Sequence, residues 1–328
     1  MYGMFATSLV SWDTLCIVII VTISFLTIIA PAIVGYILFA VLLKRTSPKK
    51  WGRECSDDDP NQIEMFHLGL KWREDHLSCC KEVQIVNDGL HLYGEFYDFG
   101  SRKTVVIMPG RSESLYGSYY FAPPYEKCGY NVFLYDPRAH GKSDGVYNTV
   151  GFEEQKDLIA WLNFLAENYH TEDVVLHGIC VGTSTGLFAL KNENCPRMIR
   201  GVVTEGLFST FYESFKNHML ERKKPTFPIL QFAEMWMRIF TRHSMCYGPE
   251  HVLPELKTPI LMLHSREDPF SLPHTAQAMY ENAGACSKEL VWFDEGAHSQ
   301  LRYADTDRYD GAISAFLTRI EVQKKVSV

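Results

Sequence analysis

The chain has 328 residues, 46% hydrophobic and 22% charged, with a formal net charge of −7. That composition excludes a disordered or fibrous chain, and the length allows a sizeable hydrophobic core. The acidic balance offers no basic footprint, so no nucleic-acid partner is expected.

Residues 14–43 contain no Asp, Glu, Lys, Arg or His and are rich in Ile, Val, Leu and Phe. A membrane-spanning helix needs about 20 mostly apolar residues, and bilayer helices tolerate interruptions such as Pro31 and Gly35. A cleaved signal peptide would place basic residues before the apolar run. Here Lys44, Arg45, Lys49, Lys50 and Arg53 follow it, which predicts that the downstream side stays in the cytoplasm. The reading is a single-pass protein of the cell membrane: residues 1–13 outside, 14–43 as the transmembrane anchor, the rest cytoplasmic.

Residues 44–81 read as a juxtamembrane linker and helix. The linker ends in "SDDDP", and "NQIEMFHLGLKWREDH" has helical spacing that suits packing on the domain or on the bilayer. Residues 82–328 form the main domain. Alternating residues around Asn87-Asp88-Gly89 predict a hairpin. Strands are expected at 104–108, 131–136, 174–179, 201–204, 260–264 and 289–293, with helices at 152–170, 181–191, 275–282 and 309–322. Continuous apolar strands alternating with helices imply an α/β, mostly parallel sheet covered on both faces. Residues 208–252 break the rhythm, are rich in aromatics and Met, and are expected to form a small helical cap. None of the nine cysteines forms a C-x-x-C pair, and Cys79 and Cys80 read as packing residues. No metal or organic cofactor is implied.

Three sites carry chemistry. "GICVG", residues 178–182, lies between a strand and a helix and resembles the G-x-S-x-G elbow with Cys180 at its centre. A nucleophile needs a base and a group that orients it. Asp268 in "REDPF" and His298 in "GAHS" follow later strands, in the chain order nucleophile, acid, histidine. Glu267 or Asp294 could supply the acid instead. The backbone N–H of Val181 and that of Arg111, in "PGRSES" after the strand at 104–108, are the candidate oxyanion donors. Gly110 and Ser112 are expected at the substrate, with Gly110 permitting close approach of the backbone. The Arg111 guanidinium reads either as an exposed loop side chain or as the holder of an acidic substrate group. His177 reads as a strand residue and Glu205 as structural. "DPRAHGKSDG", residues 136–145, reads as a loop-fixing network around Gly141.

On these motifs, residues 82–320 resemble the α/β-hydrolase superfamily, in the branch of serine aminopeptidase-like and monoacylglycerol lipase-like hydrolases. The resemblance implies an α/β-hydrolase fold of about eight strands with a cap after the sixth. Its departures are Cys180 for the usual serine, Pro109 before Gly110, and Ala139 for a glycine. Cysteine-centred elbows occur in other branches of the superfamily, including dienelactone hydrolases and some acyltransferases. A thiolate leaves a tetrahedral adduct more readily than an amine does, so esters and thioesters are expected rather than peptides. The expected function is a membrane-anchored acyl hydrolase with a Cys-His-Asp triad, a covalent acyl-thioester intermediate and small, lipid-like acyl substrates. The alternatives are an acyltransferase using the same triad or a non-catalytic binding protein on the same fold.

Overall fold

The computed structural model describes residues 11–55 and 58–326. Most of the short N-terminal stretch expected before the apolar run, two linker residues and the last two residues lie outside the described residues.

Eight strands form one sheet: β1 (Cys80–Asn87), β2 (Leu90–Tyr97), β3 (Lys103–Met108), β4 (Asn131–Tyr135), β5 (Asp173–Ile179), β6 (Ile199–Glu205), β7 (Ile260–Ser265) and β8 (Lys288–Phe293). The spatial order is β1-β2-β4-β3-β5-β6-β7-β8. The β1–β2 and β2–β4 pairings are antiparallel and the rest parallel. The expected hairpin turn is there: Asp88 and Gly89 take φ of 51° and 76°, the left-handed pair that a two-residue turn requires.

Side chains alternate across the sheet. Val105, Ile107, Val132 and Leu134 face one layer with Tyr309, Ile313, Phe316 and Ile320 of the C-terminal helix Thr306–Val326. Val106, Met108, Phe133 and Tyr135 face the other, with Leu158, Trp161, Leu162 and Leu165 of helix Glu154–Tyr169.

The chain leaves β4 on one side of β3 and returns as β5 on the other, so the direction of sheet growth reverses at β3. In such sheets the crevice beyond the strands' C-terminal ends at this point is where sites form. Met108 pairs with Gly178, so the loops after β3 and β5 leave the sheet side by side.

The apolar run forms one helix, Trp12–Leu43, long and apolar enough to cross a membrane. A π-helical turn at Phe25–Ile29 precedes Pro31 and accommodates the ring that would collide with a regular turn. No residue from Trp12 to Ile29 is buried. The final turns differ. Phe39, Leu42 and Leu43 are buried against Val150, Val181, Phe208, Ala233 and Met237. Trp236 Nε1 donates to Ala32 O at 2.9 Å, and a Cβ on Gly35 would lie 2.5 Å from Phe232 Cβ. The partner surface is the second of two cap helices, Phe211–Glu221 and Ile229–Thr241, which occupy the segment expected to form the cap.

The segment after this helix packs on the domain instead of running free. Arg45 donates to Gly141 O and Ser143 O. Lys50 Nζ donates to Ala40 O, Val41 O and Lys44 O at the helix's C-terminal end. Arg53 pairs with buried Asp136 at 2.8 Å. Helix Pro60–Asp75 also lies on the domain: a Cβ on Gly69 would meet Tyr120 N at 2.9 Å, and Arg73 pairs with buried Glu95.

Candidate active site

Cys180 joins β5 to helix Val181–Lys191 with φ 49° and ψ −113°, a strained conformation for a residue with a side chain. Its two glycines make that turn possible. A Cβ on Gly178 would lie 2.5 Å from Thr183 N and Cα, and one on Gly182 would lie 2.2 Å from Met108 O. Thr183 fastens the turn by donating through Oγ1 to Gly178 O at 3.0 Å. Val181 is the first helical residue, and its N–H has no acceptor within its own helix.

Asp268 follows β7 and is buried. One carboxylate oxygen accepts the N–H groups of Phe270 and Ser271, at 2.8 and 3.0 Å. The other accepts from His298 Nδ1 at 2.7 Å. The other two candidate acids are placed elsewhere: Asp294 is exposed and paired with Arg266, and Glu267 is exposed. Gly206 makes room for the imidazole, because a Cβ there would lie 2.6 Å from His298 Cε1.

Burial disfavours protonation of His298. The charge of the Asp268 carboxylate and its hydrogen bond, with the nearby Cys180 sulfur acting the same way, more than reverse that and hold its pKa well above the ordinary imidazole value. Burial also acts to raise Asp268, but His298 and the two backbone donors bring it below the usual carboxylate range.

Cys180, His298, Gly110, Arg111 and Ser112 line one cavity of about 530 Å3. The Arg111 carbonyl accepts from His140 Nε2 at 2.7 Å and from Asn148 Nδ2 at 3.0 Å, which fixes the loop after β3. Burial pushes His140 down to about 4. Among the described residues the Arg111 N–H has no protein acceptor. Glu113 crowds Gly110: its Oε2 accepts the Gly110 N–H at 3.1 Å and lies 3.1 Å from where a Cβ would sit. The glycine therefore admits Glu113 rather than only a substrate. The Arg111 guanidinium is half-buried and donates to Leu42 O at 3.2 Å, so it is not an exposed loop side chain.

Segment 136–145 ties the loops together. Asp136 sits under Gly141, where a Cβ would lie 2.2 Å from its carboxyl carbon, and accepts from Leu115 N and Lys142 N. Glu205 is buried and ties the sheet to the His298 loop, accepting from Leu301 N at 3.1 Å and from the Tyr309 hydroxyl. His177 is buried in β5 beside Tyr309 and is pushed down to about 3 by burial.

Sequence reasoning missed Asp59, Gln62, Glu113 and Gln300, and the stripe from Phe211 to Arg222, all of which line the cavity. Asp59 carried one readable signal, an acidic N-cap before Pro60, and its side chain accepts from Asn61 N and Gln300 Nε2.

A family model of the alpha/beta hydrolase fold matches residues 103–246. The Pyrococcus furiosus esterase Pf2001 superposes with a TM-score of 0.63 at 26% identity, covering 75% of this chain and 93% of that one. An esterase of Exiguobacterium antarcticum has a TM-score of 0.52 at 18% identity, covering 73% and 100%, a likeness of fold alone. The Bacillus subtilis protein YqkD is 23% identical over 217 residues, 65% of this chain and 70% of its own length. With this sheet order, this strained strand-to-helix turn and these likenesses, the chain has the alpha/beta hydrolase fold.

Proposed function

We propose that the chain is a membrane-anchored acyl hydrolase in which Cys180, His298 and Asp268 form a nucleophile–base–acid triad. The observation that carries this reading is a cysteine on a strained turn, facing a histidine that is already hydrogen-bonded to a buried carboxylate. His298 takes the Cys180 proton and so generates the thiolate nucleophile. The thiolate attacks the carbonyl carbon of an ester or thioester. The N–H groups of Val181 and Arg111 hold the oxyanion. The C–O or C–S bond breaks as His298 gives its proton to the leaving group. His298 then takes a proton from water, and the hydroxide releases the acid from the Cys180 thioester. The esterase activity in the name of the Pyrococcus furiosus neighbour supports ester chemistry.

The helix Trp12–Leu43 is the anchor in this reading. At 1.5 Å per residue its 32 residues extend about 48 Å, more than a hydrocarbon core of roughly 30 Å requires. The exposed turns up to about Ile29 cross the bilayer, and the final turns continue into the domain, which faces the cytoplasm. Arg111, which lines the cleft, donates to Leu42 O at the domain end of this helix, so the cleft lies beside the anchor, which favours lipid-like acyl substrates. The test is hydrolysis of p-nitrophenyl butyrate, and labelling by a thiol-directed acyl probe, in native chain and Cys180→Ala. Loss of both in the variant is expected; full activity of the variant overturns the assignment.

A further inference from the structure

Five cavity-lining residues of the first cap helix and its end, Phe211, Ser214, Phe215, His218 and Arg222, recur at three- and four-residue spacings. They form one stripe on one helix face. Its character changes along its length. Phe211 and Phe215 pack in the cluster that contains Val181 and Cys180. His218 comes next and Arg222 ends the stripe, roughly 10 Å beyond Phe215 by helical rise.

The His218 ring stacks on Phe270 at 4.8 Å between centroids, and Phe270 in turn reaches His298 at 4.9 Å. His218 Nδ1 is buried and has no hydrogen-bond partner. Arg111 supplies a second cation to the same cavity. No carboxylate among the described residues stands within ion-pair distance of it, and its one protein acceptor is a carbonyl. Burial disfavours the charged form of His218, and the Arg222 and Arg111 charges, with Glu221 opposing, act in the same direction. Arg111 and Arg222 thus both act on His218, and all three line the one cavity. The cavity's carboxylates, Glu113 and Asp59, come from the loop after β3 and from the start of helix Pro60–Asp75, and both are engaged there. The Glu113 charge and the Cys180 sulfur act on Arg111 at the inner end of the cavity, whereas Arg222 and His218, further along the stripe, form no ion pair among the described residues. An anion placed there meets the Arg222 and Arg111 guanidinium charges and gives His218 Nδ1 a partner.

We propose that Arg111, His218 and Arg222 form an anion subsite that selects acyl esters carrying a phosphate or carboxylate group. This rests on the ester-hydrolase reading of the same cleft. The negative group lies several bonds from the reacting carbonyl, beyond the apolar wall of Phe211 and Phe215. Exposed Lys223 and Lys224 follow Arg222 and add to the field that draws an anion in.

The test uses the full chain in detergent micelles and two matched substrate pairs. p-Nitrophenyl hemisuccinate differs from p-nitrophenyl butyrate by a carboxylate in place of the terminal methyl. 1-Oleoyl lysophosphatidate differs from 1-oleoylglycerol by a phosphate. The native chain is expected to prefer the anionic member of at least one pair in kcat/KM by about tenfold. In Arg222→Gln that ratio falls about tenfold, mainly through KM, and Arg222→Lys recovers part of it. Preference in the lipid pair alone assigns the anion to a lipid headgroup; preference in both assigns it to any anionic ester. Equal ratios in native and Arg222→Gln chains overturn the subsite. If no ester is cleaved, the hydrolase reading falls. The subsite is then decided by calorimetry of butylphosphonate with Cys180→Ala: weaker binding on adding Arg222→Gln supports it, and equal or absent binding overturns it.

Discussion

His298 donates through Nδ1 to Asp268 at 2.7 Å, joining the loops that follow two neighbouring strands, β7 and β8. The carboxylate's other oxygen is held by two backbone N–H groups, so it is fixed before the imidazole reaches it. Asp268→Asn keeps the size of the side chain and removes the charge that raises His298. The His298 titration, followed by NMR of its ring protons, is expected to move to lower pH. Ester turnover should fall by about 10³–10⁴, as when a triad carboxylate is neutralised. An unchanged titration would mean that the contact carries no electrostatic coupling.

The turn at Cys180 stands on two glycines for different reasons. Gly178 clears the first turn of the following helix, whereas Gly182 clears the carbonyl of Met108 on the neighbouring strand. Neither obstacle is the flexible end of a side chain. Gly182→Ala should therefore cost about 3 kcal/mol, the upper range for overpacking. Urea unfolding of native and variant chains measures it. Gly311 meets nothing within 4 Å of an added Cβ. Gly311→Ala is the control and should stabilise the helix by roughly 0.5–1 kcal/mol.

Most of the sheet was legible because buried parallel strands are continuous apolar runs and the hairpin carries a turn-specific Asp-Gly pair. The pairing of His298 with Asp268, and a cavity shared by His298 and Cys180, could be expected from the sequence because each residue follows its own strand. What could not be read was which distant groups the loop and linker residues meet. Lys50 and Arg53 look in sequence like charges beside a membrane. In the fold Lys50 caps a helix end, and Arg53 neutralises Asp136, 83 positions away. Burial, and then the Arg111 charge, push Lys50 down to about 8. The Arg111 guanidinium was equally ambiguous, since nothing local indicates that it bonds to Leu42 O, 69 positions earlier.

The packing of the N-terminal helix on the cap bears on where the chain can be cut. A chain beginning at residue 54 loses Phe39, Leu42 and Leu43, each at most 4% exposed, and uncovers Val181, Phe208 and Met237. At about 1.5–3 kcal/mol per buried side chain, the loss is of the order of 5 kcal/mol. That is comparable with the whole stability of many domains. A chain beginning at residue 33 keeps these contacts. Thermal melts of the two in the same detergent should place the shorter chain well below the longer, with reduced ester turnover. Equal melting temperatures would show that the docked turns contribute nothing to the domain.

Glu205 provides a pH test of the frame behind Cys180 and the His298 loop. Burial pushes it up to about 7, against the opposing effect of hydrogen bonds from Tyr309 and Leu301 and the nearby His298 charge. The unfolded chain loses this proton near the ordinary glutamate value, so between about 4.5 and 7 the folded state holds a proton that the unfolded state has released. Stability must therefore fall as pH rises through that window, by about 3 kcal/mol for a shift of this size. Glu205→Gln keeps an acceptor oxygen for Leu301 N, presents an N–H to the Tyr309 hydroxyl oxygen, and never ionises. The stability difference between native and variant chains isolates this residue from the other buried acids. Urea unfolding at pH 5 and pH 8 should show the native chain losing more stability than Glu205→Gln. Parallel curves would mean that Glu205 is ionised in the fold throughout, with its charge held by Tyr309 and His298.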